Sequence, residues 1–316
     1  MKDEARADAV YAALLTRQGE QWVQPRVERT RRVLELLDDP QRTYRVVHVT
    51  GTNGKTSTSR IIESLVRAHG LRTGLFTSPH LARFTERIMI DGEPIADAAV
   101  ADAWDEIAPL VDLVDKELSA AGDVPLTFFE LLTVLAFVAF ADAPVDVAVI
   151  EVGMGGAWDS TNTADGDVAV FAPIDIDHAD RLGDTIGEIA TVKAGIIKRG
   201  AAAVSAPQVP EAESVLRAAG VPFEAVSAGG TFLSPAVSKK LFRNQAARPL
   251  LTPREAEILT ALGRGEVEEV LALAGEQLEV GAPVLLVEVA AAGGAGVNGG
   301  HEFSRDRCRT AQKTAV

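Results

Sequence analysis

Short apolar runs and amphipathic stretches alternate along the first part of the chain, a pattern typical of strands and helices that follow one another. Residues 27–37 (VERTRRVLELL) have helical periodicity, and residues 45–50 (RVVHVT) indicate a β-strand. A glycine-containing turn over 51–55 is followed by a predicted helix over 56–69, with a C-cap glycine after it, and by a strand over 73–77. Strand, turn, helix and strand make a βαβ unit, which predicts a parallel sheet.

Two later runs, residues 146–151 (DVAVIE) and 167–174 (DVAVFAPI), are almost continuously apolar, as in strands buried on both faces. Residues 128–140 are apolar on every side and predict a helix buried against the sheet. The remaining predicted elements are strands over 87–90 and 201–205 and helices over 97–120, 185–194 and 211–219. We therefore predict an α/β domain over residues 1–221, with a mostly parallel sheet flanked by helices.

The pattern weakens after residue 221. Residues 222–289 mix polar residues, scattered prolines and a helical stretch, and we interpret them as an atypical helical or mixed segment. Residues 290–316 begin with small-residue low complexity (AAAGGAGVNGG) and end in polar residues, so we interpret them as a flexible tail. The predicted organisation is one large domain followed by a short C-terminal region.

Charge and cysteine content narrow the classes of partner and compartment. The 316 residues include 45 Asp and Glu against 31 Lys and Arg, a formal net charge of -14, which opposes non-specific binding to nucleic acids or anionic membranes. The single cysteine, Cys308, excludes an internal disulfide framework and fits a reducing compartment. The N-terminus lacks the apolar region of a signal peptide, and residues 131–141 are too short to span a membrane, so we expect a cytoplasmic protein.

The turn after the first strand, Gly51-Thr52-Asn53-Gly54-Lys55-Thr56-Ser57, carries the strongest chemical signal. Glycines let backbone N–H groups approach phosphate oxygens, and the N-terminus of the following helix adds partial positive charge. Lys55 would reach the terminal phosphates, and Thr56 could bind Mg²⁺. Only the second half of the GxxxxGK[ST] pattern matches, since Val49 stands where the first glycine would be. The context still predicts phosphate binding on a P-loop-type sheet.

Other chemistry-bearing residues follow predicted strands. Glu151 ends an apolar strand and precedes a glycine-rich turn, where a carboxylate faces the ligand crevice and can hold Mg²⁺. His178 follows the next apolar strand and alone fits a ligand or a loop residue equally well. Lys193 alone indicates a surface lysine, and Ser78-Pro79-His80 alone indicates a loop.

Together these segments resemble one family, the folylpolyglutamate synthases and dihydrofolate synthases of the Mur ligase superfamily. The resemblance covers about residues 10–210, through HVTGTNGKTS, TSPHL followed by FTERI, LTFFE, IEVGMGGAWDSTN, DHADRLGDTIGEIA and KAGIIK. It implies a Mur ligase central domain in which ATP phosphates are bound by Thr52, Asn53, Gly54 and Lys55. Ser78 and Glu151 would hold a first Mg²⁺, and His178 and a carbamylated Lys193 would belong to a second. The implied pterin pocket consists of Thr127, Phe128, Phe129, Glu130, Trp158, Asp159 and Ser160.

The resemblance also implies an activity. A folate or dihydropteroate carboxylate would be activated by ATP as an acyl phosphate, and the amine of L-glutamate would then form the amide bond. Lys55, Glu151, His178 and Lys193 would serve this chemistry by positioning and by neutralising charge. The implied partners are these small molecules, and we expect a monomer with neither a membrane nor a nucleic-acid partner.

Some features depart from the family pattern. Ala157 stands where Arg usually follows MGG, Val192 where Glu usually precedes the metal-site lysine, and Arg181 where an aromatic residue is common. Family members normally continue into a C-terminal α/β domain that helps to bind ATP and glutamate, and residues 222–289 show no convincing equivalent. The C-terminal part is therefore expected to be missing or divergent.

Alternatives to the ligase are a truncated nucleotide-binding pseudoenzyme, a Mur-type peptidoglycan ligase and a DNA-binding regulator. Residues 229–265 resemble the linker and first helix of a LuxR-type regulator. The sequence that follows, EVEEVLALAGEQLEVGAP, is acidic and offers no basic face for reading a DNA groove. This argues against the regulator and leaves the first two alternatives open.

Overall fold

The computed structural model describes residues 2–19, 24–219 and 223–225, which form an eight-stranded sheet with helices on both faces. The strands are β1 (Arg45–Thr50), β2 (Thr73–Phe76), β3 (Ile88–Ile90), β4 (Glu93–Pro94), β5 (Val147–Glu151), β6 (Val168–Phe171), β7 (Ala202–Ser205) and β8 (Phe223–Ala225). The helices are α1 (Lys2–Leu15), α2 (Val27–Leu36), α3 (Lys55–Ala68), α4 (Asp97–Ala120), α5 (Phe128–Asp142), α6 (Ala179–Leu182), α7 (Ile186–Ala194) and α8 (Pro210–Ala218). Short 3₁₀ turns occur at Pro40–Arg42, Phe84–Arg87 and Ser160–Thr163.

The sheet has the strand order β4-β3-β2-β5-β1-β6-β7-β8. The six strands from β2 to β8 in this order are parallel, and β3 and β4 add an antiparallel hairpin at one edge. Strand β1 lies between β5 and β6, so the loops that follow these three strands emerge side by side. Ligands of open α/β sheets bind at this carboxyl edge.

Successive residues of the central strands face opposite layers, which explains their continuous apolar character. In β5, Val147 and Val149 pack on the α3 side, whereas Ala148 and Ile150 pack on the side of α1, α2, α4 and α5. Helix α5 is buried without interruption over residues 131–140, between the sheet and the outer helices. It therefore needs no polar face.

The predicted elements up to residue 219 are confirmed, with boundaries shifted by a few residues: β1 and α4 coincide with the predicted spans, and α3 begins one residue early, at Lys55. Helix α1 is present in the structure but was not predicted, because the sequence pattern did not indicate it. It contributes Ala7, Val10 and Leu14 to the core and packs against α4.

Strand β8 pairs with β7 beyond residue 221, the predicted end of the first domain. Apart from β8, the predicted segments 222–289 and 290–316 lie outside the described residues, and so do the interpretations placed on them. Within the part of the chain that the structure describes, no helix combines the length and the apolar character required to cross a membrane.

Candidate active site

The turn between β1 and α3 has the shape of an anion-binding loop. Gly51 approaches the neighbouring strand end so closely that a Cβ there would lie 2.7 Å from the Cβ of Ala172. Gly54 has φ +79°, in the left-handed region that favours glycine, and directly precedes α3. Among the described side chains none caps the first turn of α3, so its leading N–H groups can serve an anion. Lys55 is half-buried here, and its Nζ donates to the carbonyl oxygen of Thr52 at 3.2 Å.

Glu151 lies beside this turn, at the carboxyl end of β5, and is only 2% exposed. The Thr56 hydroxyl donates to Oε1 at 2.8 Å and to Oε2 at 3.0 Å, and the Ser78 N–H donates to Oε2 at 3.3 Å. Burial raises the pKa of Glu151 to about 7, although the Thr56 hydroxyl and the charge of Lys55 act in the opposite direction. A bound cation would favour the ionised form of this carboxyl.

Lys193 approaches the same turn from α7. Its side chain is buried, and its Nζ donates to the carbonyl oxygen of Gly51 at 2.8 Å. Burial lowers the pKa of Lys193 to about 8, and the charge of Lys55 lowers it further, whereas Asp177 and Asp159 raise it. The structure thus brings together the turn, Glu151 and Lys193, which are far apart in the sequence.

His178 lies in the loop after β6. Its side chain is half-exposed, its φ is +48°, and its Nε2 lies 3.5 Å from Oδ2 of Asp177. It lines the same cavity as Ser78. The residues assigned to the two metal sites therefore surround one carboxyl edge of the sheet.

A cavity of about 380 Å³ opens next to this edge, between the loops after β2, β5 and β6 and the start of α5. Its lining residues are Gly19, Gln24, Arg26, Ser78, Pro79, Thr127, Phe129, Glu130, Gly153, Met154, Trp158, Asp159, Ser160 and His178. The residues of the implied pterin pocket are among them, except Phe128. The Phe128 ring packs under the Arg87 guanidinium at 5.3 Å and edge-on to Tyr11 at 6.5 Å.

Two carboxylates in the lining are held by donors of the protein itself. Asp159 accepts bonds from the N–H groups of Met154 at 2.9 Å and Thr161 at 3.0 Å, and burial raises its pKa. Glu130 accepts from Arg26 Nη2 at 2.6 Å and Nε at 2.8 Å, and from the N–H of Thr127 at 2.7 Å. Both carboxylates therefore shape the cavity.

The walls of the cavity are formed in part by Phe129 and Trp158. Gly153 makes room for the Phe129 ring, because a Cβ at this position would lie 2.6 Å from two of its carbons. Flat aromatic walls with polar groups at a few points suit a planar ring system that carries hydrogen-bonding edges.

The sequence analysis missed several lining residues. Gly153 and Met154 lie inside the motif that follows Glu151, so their position along the chain pointed to them. Arg26 offered no such signal, because an arginine before an amphipathic helix normally faces solvent. In the structure it is 6% exposed and pairs with Glu130, a residue more than 100 positions later.

Two of the departures from the family pattern are neighbours in space. The N–H of Ala157 donates to the carbonyl oxygen of Val192 at 2.9 Å. Gly195 lies against the same residue, since a Cβ on it would be 2.3 Å from the Cβ of Ala157. Arg181 pairs with Asp180 at 3.3 Å. Positions 157 and 192 therefore meet at one backbone contact, between the loop after β5 and α7.

The donor set fits a hard cation held jointly with phosphate oxygens. Within residues 2–19, 24–219 and 223–225, no three or more His, Cys, Asp or Glu side chains are grouped to hold a metal. Glu151, with the Thr56 hydroxyl on it and Ser78 beside it, offers one carboxylate and hydroxyl-bearing side chains of the type that Mg²⁺ prefers. Mg²⁺ commonly binds through one or two carboxylates and substrate phosphates.

Comparison with known proteins identifies relatives of this chain. Residues 49–208 match the Mur ligase middle domain family. The dihydrofolate synthase/folylpolyglutamate synthase of Mycobacterium tuberculosis (strain ATCC 25618 / H37Rv) is 49% identical over 208 residues, covering 63% of this chain and 43% of that protein.

Solved structures give the same result. The Mycobacterium tuberculosis folylpolyglutamate synthase complexed with ADP has a TM-score of 0.66 at 45% identity, and the match covers 71% of this chain and 50% of that one. An FPGS complex with AMPPCP and folate has a TM-score of 0.64 at 39% identity, covering 69% and 53%. This chain spans about half the length of these relatives or less.

The residues matched to the family run from β1 to the end of the loop after β7, and they make up just over half of the chain. They contain the anion-binding turn, Glu151, His178 and Lys193, which surround the carboxyl edge of one sheet. The chain therefore belongs to the Mur ligase middle domain family, and the relatives it resembles are folylpolyglutamate synthases and dihydrofolate synthases.

Proposed function

We propose that this chain provides the ATP-binding centre of a ligase that joins L-glutamate to a folate or dihydropteroate carboxylate through an acyl phosphate. The observation that carries the proposal is the buried Glu151 carboxylate, held by Thr56 and Ser78 directly beside the anion-binding turn. The ADP and AMPPCP bound by the solved relatives support nucleotide phosphates as the anion.

Each part of the turn would have one task. Thr52, Asn53, Gly54 and Lys55 would hold the phosphates through the leading N–H groups of α3 and the Lys55 ammonium. Thr56, Ser78 and Glu151 would hold Mg²⁺, which supplies positive charge to the phosphate oxygens. With little covalent chemistry left to the protein, the site would accelerate the reaction by positioning and charge neutralisation.

The reaction would proceed in two displacements. A carboxylate oxygen of the pterin substrate attacks the γ-phosphorus of ATP, and the bond from this phosphorus to the ADP oxygen breaks. The glutamate amine then attacks the carbonyl carbon of the acyl phosphate, loses a proton and expels inorganic phosphate. Lys55 can neutralise charge on the transferring group in the first step. Water must be kept from the acyl phosphate, which otherwise hydrolyses.

Lys193 would join the site as a carbamate. A neutral amine attacks CO₂, a C–N bond forms and a proton is lost, leaving anionic oxygens in place of the ammonium. The lowering of the Lys193 pKa to about 8 by burial enlarges the neutral fraction that this step requires. The carbamate oxygens and His178 would then serve a second Mg²⁺.

The cavity would take the pterin ring between Phe129 and Trp158, with Asp159, Ser160, Thr127 and Glu130 around it. Support comes from the flat walls and from the folate in the FPGS complex described above. Phe128, which the resemblance also assigns to this pocket, contacts Tyr11 and Arg87 and is not among the residues that line the cavity.

The test is ADP formation by the purified chain with ATP and Mg²⁺, with dihydropteroate or tetrahydrofolate, and with or without glutamate. We expect turnover that depends on the pterin substrate and is lost in Lys55→Ala, while Lys198→Ala keeps it, since Lys198 binds the Asn162 carbonyl oxygen away from the turn. Pterin-independent hydrolysis in wild type and Lys55→Ala alike would contradict the assignment.

A second candidate, which the sequence leaves open, is nucleotide binding without ligation. Glutamate separates the two candidates, because a binding-only chain forms no glutamate adduct. A Mur-type peptidoglycan ligase would respond to a UDP-linked muramoyl substrate instead of a pterin. The regulator alternative, at residues 229–265, lies outside the described residues and predicts salt-sensitive binding of duplex DNA.

A further inference from the structure

The loop after β2, residues 78–83, is held at both ends. At its start, the Ser78 N–H donates to Glu151, and Ser78 lines the cavity. At its end, the Glu86 carboxylate accepts from the N–H groups of Leu81 and Arg83, both at 2.9 Å. These anchors leave the middle of the loop, at His80, to be held by other contacts.

His80 makes contacts through both nitrogens of its ring. The Arg87 Nε donates to Nδ1 at 2.7 Å. Because an arginine Nε–H can only donate, Nδ1 carries the lone pair, and the neutral ring has its proton on Nε2. Nε2 lies 3.3 Å from the Tyr11 hydroxyl. Both nitrogens are therefore engaged with the protein, so His80 is placed to orient the loop and not to bind a ligand.

The two partners of His80 are themselves firmly packed. Arg87 is 3% exposed, lies over the Phe128 ring, and its carbonyl oxygen accepts from the N–H of Thr77 at 3.0 Å. Tyr11 stacks on Phe84, with ring centroids 5.0 Å apart and planes 3° apart. His80 thus connects the Ser78 loop to α1 and α5, two helices of the buried core.

We propose that His80 is a positioning residue for the metal-bound nucleotide: its contacts with Arg87 and Tyr11 hold the loop so that Ser78 stays against Glu151. The inference deepens the proposed function and rests on it for the metal, whereas the orientation of the loop is a property of the chain alone. It assigns a role to the histidine of the SPHL motif and makes α1 a support of the site.

Three substitutions separate the contacts of His80. His80→Leu removes both ring nitrogens, whereas His80→Asn places an amide oxygen where Nδ1 accepts from Arg87 and so keeps that bond. Tyr11→Phe removes the hydroxyl alone and preserves the stacking on Phe84. If the bond from Arg87 is the main anchor, His80→Leu should loosen the loop most and Tyr11→Phe should loosen it less. His80→Asn should stay close to the wild type.

The first measurement is hydrogen exchange of the ligand-free full chain, followed on the peptide that covers residues 77–83. We expect exchange in this peptide to rise at least about tenfold in His80→Leu and to stay near the wild-type rate in His80→Asn, with α4 peptides unchanged in both. Equal exchange in the Leu and Asn variants, or an unchanged rate in the Leu variant, would overturn the positioning role.

The second measurement is ADP affinity by calorimetry, in Mg²⁺ and in EDTA. We expect His80→Leu to weaken ADP binding about tenfold in Mg²⁺ and less than about twofold in EDTA, since a misplaced metal partner acts through the metal. The same loss in both buffers would mean a general structural effect and refute the inference. A wild-type chain that binds no ADP would refute the proposed function and the effect of His80 on the metal-bound nucleotide. The hydrogen-exchange result would still test whether His80 orients the loop.

Discussion

Burial sets the charge states of two residues in the site, Glu151 and Lys193, whose pKa values it moves to about 7 and about 8. Burial disfavours the charged form of both side chains, so keeping them ionised without ligands costs free energy. Each is hydrogen-bonded to the anion-binding turn. The Glu151 carboxylate accepts from the Thr56 hydroxyl, and Lys193 Nζ donates to the carbonyl oxygen of Gly51. Cation and phosphate binding would relieve part of this cost.

The first prediction concerns Glu151→Gln in the metal-free protein. The raised pKa of Glu151 means that the folded chain keeps a proton that the unfolded chain releases, so the wild type loses stability as pH rises from 4.5 to about 7. We expect wild type and variant to be similar near about pH 5, and the variant to gain on the order of 3 kcal/mol by about pH 8. Urea unfolding at both pH values measures the difference.

Glu35→Gln is the control, because it makes the same change from carboxyl to amide at an exposed position of α2. A constant difference between Glu151→Gln and wild type at both pH values would contradict the burial argument. Addition of Mg²⁺ and ADP should reverse the order and favour the wild type.

The second prediction concerns Gly153→Ala. The new Cβ would lie 2.6 Å from the Phe129 ring and 3.1 Å from Asp159 Oδ2, so the ring, which lines the cavity, must shift. We expect folate binding to weaken about tenfold and ADP binding to stay unchanged, measured by fluorescence titration. Gly166→Ala is the matched control, with room for its Cβ at 3.4 Å from His48. Equal folate affinities for both variants would show that Phe129 does not limit the pocket.

Among the elements, α1 is the clearest difference between sequence and structure. Its alanine-rich, acidic sequence has a weak apolar stripe, and only Ala7, Val10 and Leu14 are buried. The residues of this stretch do not fit a signal peptide, and their pattern does not predict a helix. An apolar face this narrow does not predict a helix from the sequence, because the helix is stabilised mainly by packing against its partner, α4.

Leu14 and Leu15 supply the third prediction, because they are adjacent leucines with opposite surroundings. Leu14 is 0% exposed and Leu15 is 59% exposed. We expect Leu14→Ala to lower the free energy of unfolding by about 2–5 kcal/mol and Leu15→Ala by less than about 0.5 kcal/mol. Urea unfolding measures both. Similar small losses would mean that α1 contributes little to the core.

The buried strands and α5 could be predicted because continuous apolar runs in a globular protein are buried in its core. The turn with Lys55 could be predicted because it lies between a strand and a helix. The side chain of Phe128 could not, since at the start of a helix apolar on every side no periodicity tells one face from another. The pairing of Arg26 with Glu130 is likewise a product of tertiary packing.

Over the whole molecule, net negative charge coexists with a local site for anions. The formal charge is -14, yet Lys55, Lys193 and the N-terminus of α3 meet at one edge of the sheet. Local geometry outweighs net charge there, because exposed charges farther away than about 10 Å are screened at ordinary salt concentrations.

The fourth prediction follows at this scale. A ligand that binds only the folded chain stabilises it by about 2.7 kcal/mol at a concentration of 100 Kd. We expect ADP with Mg²⁺ to raise the melting temperature of wild type and to leave Lys55→Ala unchanged, as measured by calorimetry. Inorganic sulfate at equal ionic strength serves as the control for general salt effects. A shift of equal size in the Lys55 variant would place the nucleotide elsewhere.

The central position of β1 also determines when the molecule can assemble during synthesis. Val47 of β1 pairs with Val149 and Val168, both more than 100 residues later in the chain. At about 5–20 residues per second, a ribosome needs roughly 5–20 s to add the first of these partners. During that interval both edges of β1 are unpaired, and the strands that will flank the Lys55 turn have not yet been made. Folding of the sheet therefore depends on slow, long-range strand pairing, and the unpaired edges favour aggregation.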